Sequence, residues 1–330
     1  MGDMTQIDGL QFSRRHMLAG LSATAAFAGA PALAKAPMLN TQAPAYYRFR
    51  IGGFEATAVS DGPLHLGEPQ PNIFGGLSKD DFAKALADNF LPTDNVKLEQ
   101  NVLVVNTGER LVMFDTGTGW QKLMGPDTGR LLANLKAAGI DPKDIDAIAI
   151  THAHPDHCWG LLGENGERNF PNAQIYLAQV DFEFWTDESK LSNDMLKGFV
   201  ETTRKQLLPN RERIVFFKDG EEFLPGIQAV AAPGHTPGHT VFMIASQGKT
   251  LCNAGDIAHH HVLVTQNPRL EFAFDIDGKQ AVASRLKLFD MLATQRIPLL
   301  AYHFPWPGIG HLGKQGEGYR YYSAPVQTAL

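Results

Sequence analysis

The chain has 330 residues, 44% hydrophobic and 19% charged, so it is neither a disordered nor a collagen-like polymer and can bury a large core. Its 29 Lys+Arg against 35 Asp+Glu give a net charge of -6, without the basic excess a nucleic-acid binder shows. Two cysteines exclude a disulfide framework, and 12 histidines are the unusual feature.

In chain order, the first segment reads as an address. Ser13-Arg14-Arg15-His16-Met17-Leu18 resembles a twin-arginine export signal. A run of small and apolar residues follows to Leu33, ending in the small-x-small site Ala32-Leu33-Ala34. The alternative is a retained anchor, but the run is shorter than the roughly 20 strongly apolar residues that span a bilayer. Residues 1–34 are therefore expected to be a signal peptide, 35–44 a linker and 45–330 the working domain, periplasmic or secreted, with no membrane span left after processing.

Tyr46–Ile51 and Glu55–Ser60 read as a hairpin around Gly52-Gly53. Gly62–Asn72 reads as a loop and Asp80–Asn89 as a helix. Val102–Asn106 and Arg110–Phe114 form a second hairpin. Arg130–Ala138 is helical and stops at Gly139. Ile145–Ile150 is a short apolar run, a buried strand. Further strands are expected at Gln174–Leu177, Ile214–Phe217, Gln228–Ala231, Thr240–Ile244, Thr250–Asn253 and Ile297–Ala301. Phe182–Trp185, Asn193–Gln206 and Gln280–Thr294 are expected helices. Such alternation predicts an α/β chain with mixed sheets.

The chemistry sits at strand exits. Directly after Ile150 comes Thr151-His152-Ala153-His154-Pro155-Asp156-His157, an H-x-H-x-D-H pattern. Residues i and i+2 at a strand end project to one side, so His152 and His154 can grip one ion. Pro155 turns the chain, and Asp156 and His157 open a helix from which they can reach a second ion. A lone histidine is usually a core or surface residue; four ligand-type residues within six positions are not. His235, Asp256 and His303 follow three further strands, where α/β folds place ligands. His235 completes a three-histidine site, His303 completes a site with Asp156 and His157, and Asp256 has an oxygen for each ion. The donor set suits two divalent ions, zinc first, with Mn, Co or Fe accepted by the same ligands. Cys158 and Cys252 read as small buried thiols.

The sequence resembles the metallo-β-lactamase superfamily, most of all its methyl-parathion-hydrolase-like branch. The resemblance rests on Phe54–Gly62, Leu103–Gly108, Phe114-Asp115-Thr116-Gly117, Gly129–Gly139 and Phe304–His311 beside the histidine motifs. It implies a four-layer αββα sandwich (α+β in the broader sense), with a dinuclear centre at one edge using all seven residues named above. It further implies that Asp115 supports the ligand loop from behind, and that the protein is a homodimer. His239 reads as a structural partner of the His235 loop. The chain departs from the family at Cys158-Trp159-Gly160, where a small residue and Gly-Gly are usual, so Trp159 lines or crowds the site. Solvent exposure is the ordinary reading of His259-His260-His261; the alternative is that one of them hydrogen-bonds a ligand or touches substrate.

The expected function is hydrolysis of a lactone, aryl ester or organophosphate triester, with Asp256 and Asp156 as the catalytic carboxylates. Trp185, Trp120, Trp159, Phe272 and Phe304 are the pocket candidates, although aromatics are more often core. A β-lactamase, a glyoxalase-II-like thioesterase and a non-enzymatic metal-binding protein are the competing readings.

Overall fold

The computed structural model describes residues 36, 38, 39 and 42–329, except 69 and 123. The expected leader lies outside the described residues, as does most of the linker. From Pro44 onward the chain forms one compact unit.

Fourteen strands make two seven-stranded sheets, each with its strands in chain order. The first holds β1 (Tyr46–Ile51), β2 (Phe54–Ser60), β3 (Asn101–Asn106), β4 (Leu111–Phe114), β5 (Ala147–Ala149), β6 (Gln174–Ala178) and β7 (Ile214–Phe217). β1 to β4 are antiparallel neighbours, and β4 to β7 are parallel. The second sheet holds β8 (Glu222–Leu224), β9 (Ile227–Ala231), β10 (Thr240–Ser246), β11 (Lys249–Asn253), β12 (Leu299–Leu300), β13 (Ile309–Gln315) and β14 (Gly318–Ser323). It is antiparallel except for the β11–β12 pair.

Period-two patterning sends alternate residues of each strand to different layers. In β3, Leu103 and Val105 meet Phe242 and Ile244 of β10 in the core between the sheets. Val102 and Val104 face the other way, with Leu131 and Leu135 of α2 (Leu131–Ala137). That outer layer also takes α3 (Pro155–Cys158), α4 (Gln179–Thr186) and α5 (Lys197–Leu207). In β11, Leu251 joins the inner core while Cys252 faces the opposite helical layer. There it meets α1 (Lys79–Asp88), α6 (Leu263–Gln266) and α7 (Gly278–Gln295). Helix, sheet, sheet, helix is the αββα sandwich.

Helix starts follow local chemistry. Ser78 caps α1 by accepting from the Asp81 amide at 3.1 Å, and Asp277 caps α7 by accepting from Gln280 at 3.0 Å. A cap contributes about 1 kcal/mol. Burial of Leu288, Phe289 and Leu292 on α7 contributes ~1.5–3 kcal/mol each and dominates its docking.

Some expected boundaries shift. The apolar run Ile145–Ile150 pairs only through Ala147–Ala149, and Ile297–Ala301 only through Leu299–Leu300. The expected loop Gly62–Asn72 contains Leu64–His65, which pairs with Lys97–Leu98. Cys158 and Cys252 are buried free thiols in opposite outer layers.

Candidate metal centre

Strand direction assembles the site. β9, β11 and β12 run the same way, so their carboxyl ends share one edge of the second sheet. His235 follows β9, Asp256 follows β11 and His303 follows β12. β5 delivers His152 to the matching edge of the first sheet, and the Thr240 amide donates to Thr151 O at 2.9 Å across the seam. The four ligands of the 152–157 segment and the three distant ones thereby meet in one buried cluster.

Two groups are legible within it. His152 Nε2 lies 3.1 Å from His235 Nε2, which lies 2.9 Å from His154 Nδ1. Three imidazole nitrogens converging so closely approach the roughly 3.3 Å edge of a tetrahedron of zinc ligands. His157 Nε2 and His303 Nε2 lie 3.5 and 3.4 Å from Asp156 Oδ2. Asp256 stands between the groups. Its Oδ1 is 3.3 Å from His157 Nε2, and its Oδ2 is 3.1 Å from His303 Nε2 and 3.3 Å from His235 Nε2.

Against burial, the facing carboxylates, Asp256 foremost, hold His157, His235 and His303 above the usual histidine range, so a divalent ion bound there would displace protons. Burial and the facing imidazoles hold His152 and His154 well below the usual histidine range, leaving them neutral with lone pairs to offer. His157 Nε2 and Asp256 Oδ1 are buried without a hydrogen-bond partner. Unpaired buried polar atoms are costly, and a pair of divalent ions would satisfy these. The residues present therefore fit a dinuclear metal group.

A second ring of contacts fixes the ligands. Asp115, at φ 64° just beyond β4, accepts from the Thr151 amide at 2.7 Å and pairs with His157 Nδ1 at 2.9 Å. His239 accepts from the Asp256 amide through Nε2 at 3.0 Å, while its Nδ1 donates to Ala232 O at 3.0 Å. His303 Nδ1 donates to Glu99 O at 2.8 Å. Three participants were not foreseen. Asp181 on α4 accepts from Ala153 at 2.6 Å and Gly238 at 3.0 Å, tying the two histidine loops together. Asp275 pairs with His235 Nδ1 at 2.8 Å. Tyr302 donates to Asp156 O at 2.5 Å. Asp181 lies on α4 and Asp275 in the loop before α7, and neither position gave a hint of a partner elsewhere in the chain.

The histidine run after Asp256 is a correction. His259 and His260 are buried and His261 is nearly so, not solvent-exposed. His259 stacks on Phe272, ring centroids 3.7 Å apart, and its Nε2 lies 3.3 Å from Asp256 Oδ2. Neither ring nitrogen has a hydrogen-bond partner among the described residues.

Above the cluster is a small cavity of ≈ 80 Å³, walled by Leu64, Leu66, Leu98, Met124, Phe199, Phe272 and Phe274. Of the five aromatic candidates, only Phe272 lines it. Trp185 is fully buried behind His154, ring centroids 5.1 Å apart. Trp159 neither lines nor blocks the site; it lies in the helical layer, donating to Thr203 Oγ1 at 3.1 Å. Phe304 packs against Tyr321 in the opposite core, and Trp120 is half-exposed away from the wall. Trp185, Trp159 and Phe304 are held by the apolar core instead.

A model of the metallo-beta-lactamase superfamily matches residues 96–294. The chain belongs to that superfamily. It is 31% identical over 118 residues to an N-acyl homoserine lactonase of Bacillus sp, a match covering 36% of this chain and 40% of that protein. The chain thus spans about two fifths of the length of the curated relatives it matches first. Solved structures match at full length. AidC, described as a dizinc quorum-quenching lactonase in complex with a product, is 28% identical with TM-score 0.81, over 86% of this chain and 99% of AidC. The hydrolase AbOPH of the beta lactamase superfamily is 30% identical with TM-score 0.79, over 87% of this chain and 100% of its own. The cluster of histidines and aspartates gives this superfamily member a candidate dinuclear metal site. Among the described residues no helix is long and apolar enough to cross a membrane.

Proposed function

We propose that this superfamily member is a metallo-hydrolase that cleaves lactones and aryl esters, with organophosphate triesters as a side activity. The observation that carries the reading is a seven-ligand cluster at the floor of an apolar cavity. His152, His154 and His235 would hold one ion, Asp156, His157 and His303 the other, and Asp256 would contribute an oxygen to each. When bound, such ions supply an activated water and polarise the scissile carbonyl or phosphoryl oxygen; zinc is the expected metal, although Mn, Co or Fe suit the same donors.

The remaining work falls to the chain. The apolar walls seat an acyl or aryl group and keep bulk water off the reacting atoms. His259 lines the cavity with its Nε2 beside Asp256 and its Nδ1 without a hydrogen-bond partner among the described residues, so a ring N–H would be free to donate to a substrate oxygen. Asp256, held through its own amide by His239, is placed to take up or pass on a proton. The walls contain no lysine or arginine. Beyond the metal ions themselves, a further anionic group on a substrate would find no counter-charge there, which makes β-lactams, glutathione thioesters and nucleic acid less suitable. The same reading includes export through Arg14-Arg15 and a homodimer.

The test is a substrate panel on metal-analysed protein: dihydrocoumarin, p-nitrophenyl acetate, methyl parathion and acyl-homoserine lactones. Turnover of the lactones and aryl ester, lost on chelation, is expected. Metal-loaded protein inert on all four would refute the proposal.

A further inference from the structure

We propose that Asp275 is a positioning residue that locks the metal ligand His235 and the aromatic wall of the cavity into one unit. The proposal rests on the metal-centre reading above but not on any substrate. Asp275 uses both carboxylate oxygens. Oδ1 pairs with His235 Nδ1 at 2.8 Å, and Oδ2 accepts from the Phe272 amide at 3.1 Å. Its side chain is only 1% exposed. Backbone bonds run alongside: Ile276 donates to His235 O at 3.0 Å and Asp277 to Gly234 O at 2.9 Å.

Arg285 anchors the unit from beneath. Its buried guanidinium lies 3.9 Å from Asp275 Oδ2. It donates to the carbonyls of Ile257 at 2.7 Å, Pro268 at 3.0 Å and Leu270 at 2.6 Å. These carbonyls belong to the segments that follow Asp256 and precede Phe272. One carboxylate thus fixes the ring orientation of a ligand and the backbone of the residue that forms the wall above it. A carboxylate behind a ligating histidine sets its tautomer and direction, and loss of such a partner weakens metal binding by roughly 10–100-fold.

Two substitutions separate the functions. Asp275→Ala removes both contacts. Asp275→Asn keeps the shape but has one acceptor oxygen, so it can satisfy His235 Nδ1 or the Phe272 amide, not both. Zinc affinity is measured by competition with a chromophoric chelator, and hydrogen exchange is followed over 270–276. For Asp275→Ala we expect one of two zinc ions to bind roughly 10–100-fold more weakly and exchange at Phe272 to quicken by about tenfold. Asp275→Asn should show one of these changes. Phe272→Ala, which leaves the carboxylate in place, should keep wild-type zinc affinity. Both zinc affinities and exchange unchanged in Asp275→Ala would overturn the proposal; should that variant fail to fold, unchanged values in Asp275→Asn would do so. A wild-type protein that binds no zinc would instead overturn the metal-centre reading, and the clamp with it.

Discussion

Trp185 and Phe274 show how differently two aromatics near one site can act. Trp185 is fully buried behind His154, whereas Phe274 is 44% exposed and lines the cavity. Trp185→Ala should therefore cost ~3–5 kcal/mol of stability, as large-to-small core changes do. Phe274→Ala should shift KM and acyl preference while moving Tm little. Denaturant titration and kinetics on both variants check this; the reverse pattern would contradict the assignment. Asp61 carries a pH effect. Its buried carboxylate accepts from the Thr118 amide and hydroxyl, both at 2.8 Å, and from the Leu131 amide at 2.8 Å. Burial pushes it up to about 6 against those bonds. The folded chain then holds this proton to higher pH than the unfolded one, so its contribution to stability is full below about pH 4 and is lost as pH rises through about 6. Asp61→Asn cannot titrate and should remove that part of the slope of Tm against pH; an unchanged slope would count against it. At this scale the sequence revealed what lay within one turn of chain. His152, His154, Asp156 and His157 share a strand exit and could be read together. The burial of His259 depends on contact with Phe272, thirteen residues later, and no local pattern announces that stacking.

Among the elements, the ligand loop between β9 and β10 shows the tightest constraint. Gly234 has φ 128°, and a Cβ there would meet the backbone nitrogen of Ala281, at the start of α7, at 2.0 Å. Ser284 of α7 donates to Pro233 O at 2.6 Å. The helix start thus seats the loop that presents His235. Gly234→Ala should destabilise by roughly 2 kcal/mol or more, through strain at positive φ and the clash, and should weaken zinc binding. Thermal unfolding with a metal titration reads both; a variant with wild-type Tm would show that the loop does not rest there. The hairpins of the first sheet were readable because Gly52-Gly53 and Thr107-Gly108 punctuate alternating runs. The β13–β14 hairpin escaped notice. Gly310, Gly313, Lys314 and Gln315 obscure the alternation in β13, although Tyr319, Tyr321 and Tyr322 give β14 a strand propensity that could have found it.

At the scale of the whole molecule, the ligands come from both sheets. His152 to His157 belong to the first, while His235, Asp256 and His303 belong to the second. Bound metal should therefore cross-link the two halves of the sandwich and stabilise them together. Free metal at a thousand times its Kd adds about 4 kcal/mol. Chelation should lower Tm in a single cooperative step, and a Tm indifferent to chelation would contradict the cross-link. The αββα layering was legible in the alternation of strands and helices together with the family motifs. The wall residues Leu64, Leu98 and Phe199 were not, because they come from three separate segments that only the tertiary fold brings over the ligands.

The central claim is a dinuclear centre organised by Asp256, and metal stoichiometry measured beside hydrolysis tests it most directly. Purified wild-type protein should hold two divalent ions per chain, and Asp256→Ala one or none, with hydrolysis of dihydrocoumarin lost. A wild-type stoichiometry below two, or an Asp256→Ala variant that retains both ions, would contradict the account.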